Sequence, residues 1–319
     1  TFNEVHKIIG TGLLRTYDGQ SFNYTSSTSG NASSNLADPV VGSKVKSSGS
    51  GNSEQRSVSM IGQLVYTYDN RYVIRGSLDY EGNSSMGKNN RFGLFPALGF
   101  AWNLDQEHFL SDETRQWLTG AKFRFGLGES GNAPDGSTYY LGAYQSLGTY
   151  MNMSAIYPVR MQLDKLKWES TREYDFGMDL EFWNKLKLTF DYYDKKTSDL
   201  LLEKTSVPST TGYAEIKYLN SGELSNKGFE FRVDYNILQN KDWTINVNAN
   251  ISRNINKILS LPSTWRYDNY TFGNGNYATK VVEGQPVGSF YGYKYKGVYQ
   301  NTSDTYAKDA SGNVMYDYK

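Results

Sequence analysis

Four groups of residues in this sequence have the types and spacing that chemistry requires. Gly126-Leu127-Gly128-Glu129-Ser130-Gly131 matches the G-x-G-x-x-G pattern, in which backbone N–H groups at a helix start cradle a pyrophosphate. The following Asn132-Ala133-Pro134-Asp135-Gly136 is not a run that opens a helix, so a glycine-rich exit from a strand into a loop is the better account. His6 and His108 are the only histidines; neither has partners at the spacing of a metal site or a Ser-His-Asp triad, and both are expected at the surface. Glu169, Glu173, Asp175 and Asp179 fall on one side of an alternating run and offer the carboxylate pair of glycoside hydrolysis. The same alternation places acids along a wet strand face, which is the preferred reading. The fourth group is aromatic: Tyr139, Tyr140, Tyr144, Tyr150 and Tyr157 in one loop, and Trp265, Tyr267 and Tyr270 in another. Rings with an apolar face and a polar tip suit stacking on sugars or contact with a partner protein. Closing each loop's own small core is the alternative.

The elements that hold these groups are strands. From Lys227 to Ser252, Phe229, Phe231, Val233, Tyr235 and Ile237 alternate with polar residues, Gln239 to Asp242 break the run, and Trp243, Ile245, Val247, Ala249 and Ile251 resume it. Strict period two over about ten residues per arm gives one apolar and one polar face. A strand that separates lipid from a wet lumen needs that pattern every time, and it recurs in Ser57 to Tyr68, Arg71 to Glu81, Arg91 to Asn103, Ala121 to Gly128, Leu166 to Leu180 and Lys185 to Lys196. Pro96, inside one of these runs, predicts an irregularity. Between them, Ser111 with Thr114, and Asp112-Glu113 ahead of Trp117-Leu118, predict one short helix. A third hairpin is expected over Leu261 to Gln285.

Connections alternate in length. Asp69-Asn70, Glu181 to Asn184 and Gln239 to Asp242 are short, whereas Thr25 to Gln55, Glu129 to Lys165 and Thr197 to Ser225 are long polar loops, and Gly82 to Asn90 is a shorter polar one. Short turns on one side and long loops on the other are the asymmetry of outer-membrane barrels. Tyr66, Tyr68, Tyr80, Trp102, Trp168, Tyr192 and Trp243 are expected near strand ends as interfacial anchors.

Composition narrows the class. Only 38% of the 319 residues are hydrophobic, the mean hydropathy is −0.62, and no window approaches the ~18 apolar residues of a membrane helix. Tyr 27, Gly 31 and 15% aromatics favour long strands with aromatic belts. Lys+Arg 33 balances Asp+Glu 33, so no overall field attracts nucleic acid. Absence of cysteine removes disulfides, thiolate nucleophiles and Cys-ligated metals; no cofactor is expected. Thr1 to Gly10 has no signal-peptide pattern, which suggests a mature form or a fragment if the protein is exported.

The local wording adds a resemblance. Asn70-Arg71-Tyr72, Gly87 to Pro96, Phe125 to Asn132, Leu166-Lys167-Trp168-Glu169, Asp191 to Leu201, Asn226 to Glu230 and Glu283 to Tyr293 resemble, in order, the C-terminal barrel half of the SusC/RagA-type TonB-dependent outer-membrane transporters. The resemblance covers about Asn70 to Gly297. It implies an all-β fold, part of a 22-stranded antiparallel transmembrane β-barrel with long extracellular loops and short periplasmic turns, integral to the Gram-negative outer membrane. It also implies active import of oligosaccharides or peptides, a SusD-like surface lipoprotein as lid, and energy from TonB-ExbB-ExbD acting on an N-terminal plug. No plug, TonB box or final strands are recognised, so residues 1–319 are expected to be a partial barrel domain. The alternative is a secreted β-rich glycan-binding module without transport; an outer-membrane enzyme is disfavoured because no catalytic constellation survives.

Overall fold

The computed structural model describes residues 5–29, 44–134, 140–150, 153–213, 215–262, 277–295 and 311–312. It divides into two compact units, Thr1–Arg266 with Val282–Val287, and Tyr267–Val281 with Gly288–Lys319. In chain order the strands of the first are β1 (His6–Ser29), β2 (Lys44–Tyr68), β3 (Tyr72–Asn83), β4 (Phe92–Asn103), β5 (Leu118–Asn132), β6 (Ala143–Tyr150), β7 (Met153–Arg160), β8 (Glu169–Phe182), β9 (Leu186–Ser198), β10 (Leu201–Ser206), β11 (Glu215–Asn220), β12 (Glu223–Gln239) and β13 (Thr244–Ser260). Nine of them form one antiparallel sheet in the order β1-β2-β3-β4-β5-β8-β9-β12-β13, while β6-β7 and β10-β11 are separate hairpins. Neighbours in sequence pair unless a hairpin intervenes, as in an up-and-down barrel wall.

At one end the turns are tight. Asp69 and Asn70 have φ 47° and 55°, and Trp183 and Asn184 have φ 52° and 53°, the paired positive values that match the twist of flanking strands. β8 runs on to Phe182, so the turn expected over Glu181 to Asn184 begins later, at Trp183. In the third turn Asn240 Oδ1 accepts from the amides of Asp242 and Trp243. The longer β4–β5 connection holds the expected helix, α1 (Asp112–Trp117), whose N-cap Ser111 accepts from the Thr114 amide at 3.2 Å.

The long loops are more structured than their composition suggests. β1 continues to Ser29 and β2 starts at Lys44, so 25–29 and 44–55 of the loop expected over Thr25 to Gln55 lie within strands. Backbone ladders need no apolar alternation once both faces are wet, which is why a Ser/Gly/Asn run pairs without showing it. Glu129 to Lys165 and Thr197 to Ser225 are likewise not structureless: β5 extends to Asn132, and each segment carries its own hairpin.

Pro96 causes no shift in the β3–β4 register, where it faces Leu78. On its other side the β4–β5 ladder begins only at Ala97↔Gly128. A residue without an N–H sits where no donor is asked for, and the irregularity is the end of that ladder. The Phe95 ring fills the opening: a Cβ at Gly131 would lie 2.0 Å from Phe95 Cζ.

In the second unit β14 (Tyr277–Lys280) pairs with β15 (Ser289–Gly292). The expected hairpin over Leu261 to Gln285 is thus displaced toward the C-terminus, its connection containing Pro286 and the positive-φ Gly284 and Gly288.

Candidate functional site

Cross-strand register sorts the sheet into two faces. One row runs Ile8, Tyr66, Ile74, Phe100, Phe125, Phe176, Tyr192 and Phe229 before ending at Arg253. Residues of this face remain open to the surroundings, Leu98 at 56%, Phe125 at 50% and Val247 at 51% among them. Among the described residues no second sheet covers it. Such a surface in water would be an aggregation site; against hydrocarbon it is the buried face.

The apolar band crosses the rows obliquely. The row through Trp102 reaches Ile251 on β13, yet the apolar set there continues to Ile245, six residues nearer the turn. Six residues are about 20 Å along a strand and five strand spacings about 24 Å across, so the strands tilt by about 40°, as barrel closure requires.

The polar face carries most of the charge. Arg124 on β5 binds Asp179 on β8 (3.0 Å) and Asp191 on β9 (2.8 Å). It spans two strands because the row runs Arg124, Gly177, Asp191. A Cβ at Gly177 would lie 2.6 Å from the guanidinium carbon, so glycine provides the saddle. The next row repeats the device: Tyr193 donates across Gly228 to Asn254 Oδ1 at 3.2 Å, and a Cβ there would meet the Tyr193 hydroxyl at 2.5 Å. Asn226 Oδ1 then accepts from Asn256 at 2.7 Å. Beside these, Arg75, Ala97, Gly99, Gly128, Glu173 and Asp175 line a shallow depression of about 340 Å³.

Three of the four candidate acids are engaged elsewhere, and the fourth, Asp175, lines the depression. Glu169 accepts from the Leu201 amide, Glu173 pairs with Lys195 at 2.8 Å, and Asp179 holds Arg124 and the Thr189 hydroxyl. Gly126 and Gly128 lie within β5 and Gly131 is its last residue but one, so the strand ends at Asn132, later than expected, and there is no helix start for a phosphate. His6 lies at the tight-turn end against Tyr66 and Tyr68.

Two clusters were not legible in the sequence. At the tight-turn end Glu107 is buried and accepts from the Tyr72 hydroxyl (2.5 Å), Trp102 Nε1 (2.8 Å) and Arg71 (3.0 Å). The Tyr72 hydrogen bond first, then those of Trp102 and Arg71, hold its carboxyl down to about 2. At the long-loop end Met86 and Ser85 are fully buried and Leu166 nearly so, with the Gly87 amide donating to Leu166 O at 2.8 Å. Gly82 to Asn90 is therefore a packed element, not simply a polar loop. Trp168 belongs to the same cluster: it is buried, donates to Arg91 O and packs edge-on to Phe95 at 5.5 Å. The expectation that it anchors at the membrane interface is wrong, because it is buried against Phe95 and the start of β4. Tyr80, Tyr192 and Trp243 are exposed on the outward face, as anchors should be.

Of the aromatic loop residues, Tyr140 accepts from Arg91 at 3.3 Å, with the guanidinium 5.7 Å from its ring. Tyr144 is 72% exposed on β6 and Tyr157 about half as much on β7. They sit on adjacent rungs, Tyr144 opposite Pro158 and Tyr157 opposite Gln145. Tyr150 pairs with Met153, and its side chain lies outside the described residues, as do Tyr139, Trp265, Tyr267 and Tyr270 altogether.

Residues 1–318 match the family described as TonB dependent receptor-like, beta-barrel. The chain belongs to that family. As a TonB-dependent receptor barrel it is an integral outer-membrane protein whose apolar face meets lipid and whose polar face lines the lumen, and the family is one of receptors and transporters, not enzymes. It is 36% identical to TonB-dependent receptor P3 of Formosa agariphila over 77% of this chain and 25% of that protein. To TonB-dependent receptor SusC of Bacteroides thetaiotaomicron it is 30% identical over 82% of this chain and 27% of SusC. The chain thus spans about a quarter of the length of these relatives. A RagAB peptide importer structure in its closed-closed state superposes with a TM-score of 0.77 at 22% identity, covering 99% of this chain and 35% of that one, which shows the same barrel fold. A secreted glycan-binding module is not favoured, because it would leave the apolar face in water.

Proposed function

We propose that this TonB-dependent receptor barrel is part of a SusC-like active importer of oligosaccharides or peptides, capped by a SusD-like surface lipoprotein. The observation that carries the reading is the identity to SusC across most of the chain. In this reading the present residues form barrel wall and outer loops, while a plug and a TonB box elsewhere in a longer protein take the pull of TonB-ExbB-ExbD. The wall does no covalent chemistry. Tyr139, Tyr140, Tyr144, Tyr150, Tyr157, Trp265, Tyr267 and Tyr270 hold substrate or lid, with Tyr144 the best placed of those described because its ring is open.

The test is deletion of the gene followed by growth on defined oligosaccharides and on defined peptides as sole nutrient. Loss of growth on one class, restored by the full-length gene, supports import and names the class. Unimpaired growth on both, with no lipoprotein co-purifying with the tagged protein, rejects the proposal.

A further inference from the structure

Two kinds of glycine line the lumen face. Gly177 and Gly228 are required by the wall itself, because side chains of neighbouring strands cross over them. Gly99 and Gly126 are not: a Cβ there would meet nothing nearer than 3.9 Å and 3.6 Å, which is ordinary contact. Glycine weakens a strand interior, so where the wall has no need of it, it marks the close approach of something else. Ala97 and Gly128, paired on the adjoining row, continue the same floor.

The two banks of this floor differ in sign. Its rows run Arg75, Gly99, Gly126, Asp175 and Ser77, Ala97, Gly128, Glu173, so three strand spacings, about 14 Å, separate β3 from β8. Within these two rows and the next one on the tight-turn side, β1 to β3 present Arg75 and Lys7 to the lumen and no acid. Arg75 is exposed, and its one hydrogen bond among the described residues goes to the neutral Gln63 Oε1 at 2.9 Å. In the same rows β5, β8, β9 and β12 present Glu173, Asp175, Asp191 and Glu230 against Arg124 and Lys195. Both of those cations are engaged, Arg124 by Asp179 and Asp191 and Lys195 by Glu173. Asp175 makes no hydrogen bond or ion pair among the described residues.

We infer, on the importer reading, that this trough is a binding site for a short peptide with free ends, its carboxylate on Arg75 and its ammonium group on Asp175. An extended chain advances about 3.3–3.6 Å per residue, so three or four residues span the banks, and their backbone lies close over a floor without bulky side chains. Arg75 offers a planar fork of donors to a carboxylate, and Asp175 only accepts, as an ammonium group requires. A neutral oligosaccharide would cover both charges without neutralising either.

The test measures uptake of radiolabelled tetra-alanine by cells carrying the full-length protein, above the uptake of the deletion strain, alongside its N-acetylated form, its C-amidated form and a set of neutral oligosaccharides. In the wild type each block should lower uptake by about tenfold, the loss of one charge-assisted contact. In Arg75→Gln amidation should no longer matter while acetylation still does; in Asp175→Asn the order reverses; Arg75→Lys should keep both penalties. Each penalty is a ratio within one strain, so a lower amount of assembled protein does not alter it. Equal uptake of free and blocked forms by the wild type overturns the site. Penalties that persist in both neutral variants, with uptake of every form lowered alike, give the trough to a plug contact and overturn it too. Uptake of oligosaccharide without peptide overturns the site and leaves the importer standing, whereas uptake of neither removes the importer reading as well.

Discussion

Trp102 and Glu107, five residues apart, meet through a 2.8 Å hydrogen bond from the indole nitrogen to the carboxylate. The same carboxylate takes the Tyr72 hydroxyl and Arg71, 35 and 36 residues distant, so one acid ties the β2–β3 turn to the β4–β5 connection. Its carboxyl is held at about 2, below the ordinary carboxylate range. A depressed folded value stabilises fully above about pH 4.5 and loses that contribution as pH falls toward 2. The wild-type full-length protein should therefore melt at lower temperature at pH 3 than at pH 6. Glu107→Gln should be less stable at pH 6 and show a smaller pH difference; an unchanged difference by scanning calorimetry would remove this role.

Outward and inward positions should respond oppositely to charge. Leu188 and Thr189 are adjacent on β9, Leu188 opposite Val233 on the lipid face and Thr189 beside Asp179 on the lumen face. Leu188→Lys should cost about 2–4 kcal/mol of folding stability in detergent or bilayer, and Thr189→Lys less than about 1 kcal/mol. Equal costs in a denaturant titration would contradict the assignment of faces.

Gly177 and Arg124 should be energetically coupled. Gly177→Ala pushes a methyl group against the guanidinium that reaches Asp191. In an Arg124→Gln background the guanidinium is gone and Asp191 Oδ1, 2.7 Å from the added Cβ, is released to turn away, so the alanine should cost less than it does in the wild type. A double-mutant cycle should give a coupling of about 0.5–1 kcal/mol; strict additivity would deny the saddle.

Gly87→Ala should open the outer cluster. An added Cβ would lie 2.3 Å from the backbone oxygen of Asp164, which a side-chain rotation does not relieve. A cost of about 1–3 kcal/mol is expected, and trypsin should cut sooner after Lys165 and Lys167 in intact cells displaying the variant. Wild-type cutting rates would show that the segment is not held there.

Tyr144→Ala and Tyr140→Phe separate contact from packing. Tyr144 is open, whereas Tyr140 engages Arg91. If the loop tyrosines hold cargo, Tyr144→Ala should lower uptake by about tenfold at unchanged protein level, the loss of roughly 1–2 kcal/mol of aromatic contact. Tyr140→Phe keeps its ring and should leave uptake near wild type. The reverse order in a labelled-substrate assay would move the contact to Tyr140.

The alternation of Phe229 to Ile237 and of Ile245 to Ile251 fixed strand identity, faces and pairing, because a membrane imposes period two on every strand that crosses it. The Asp-Asn and Asn-rich turns were legible for the same local reason: few other residues adopt a positive φ or bond their own backbone so readily. What required tertiary structure was every feature whose energy lies between distant residues. Ser/Gly-rich arms of β1 and β2 pair through backbone groups that composition does not reveal. Trp168 has the residue type of an anchor but is buried against Phe95; Met86 sits in a polar stretch and is fully buried. Glu107 gave no signal at all, since its three donors come together only when the turns of β2–β3 and β4–β5 are side by side. Side-chain direction along a strand is a local property, whereas burial and hydrogen-bond partnership depend on which strands become neighbours.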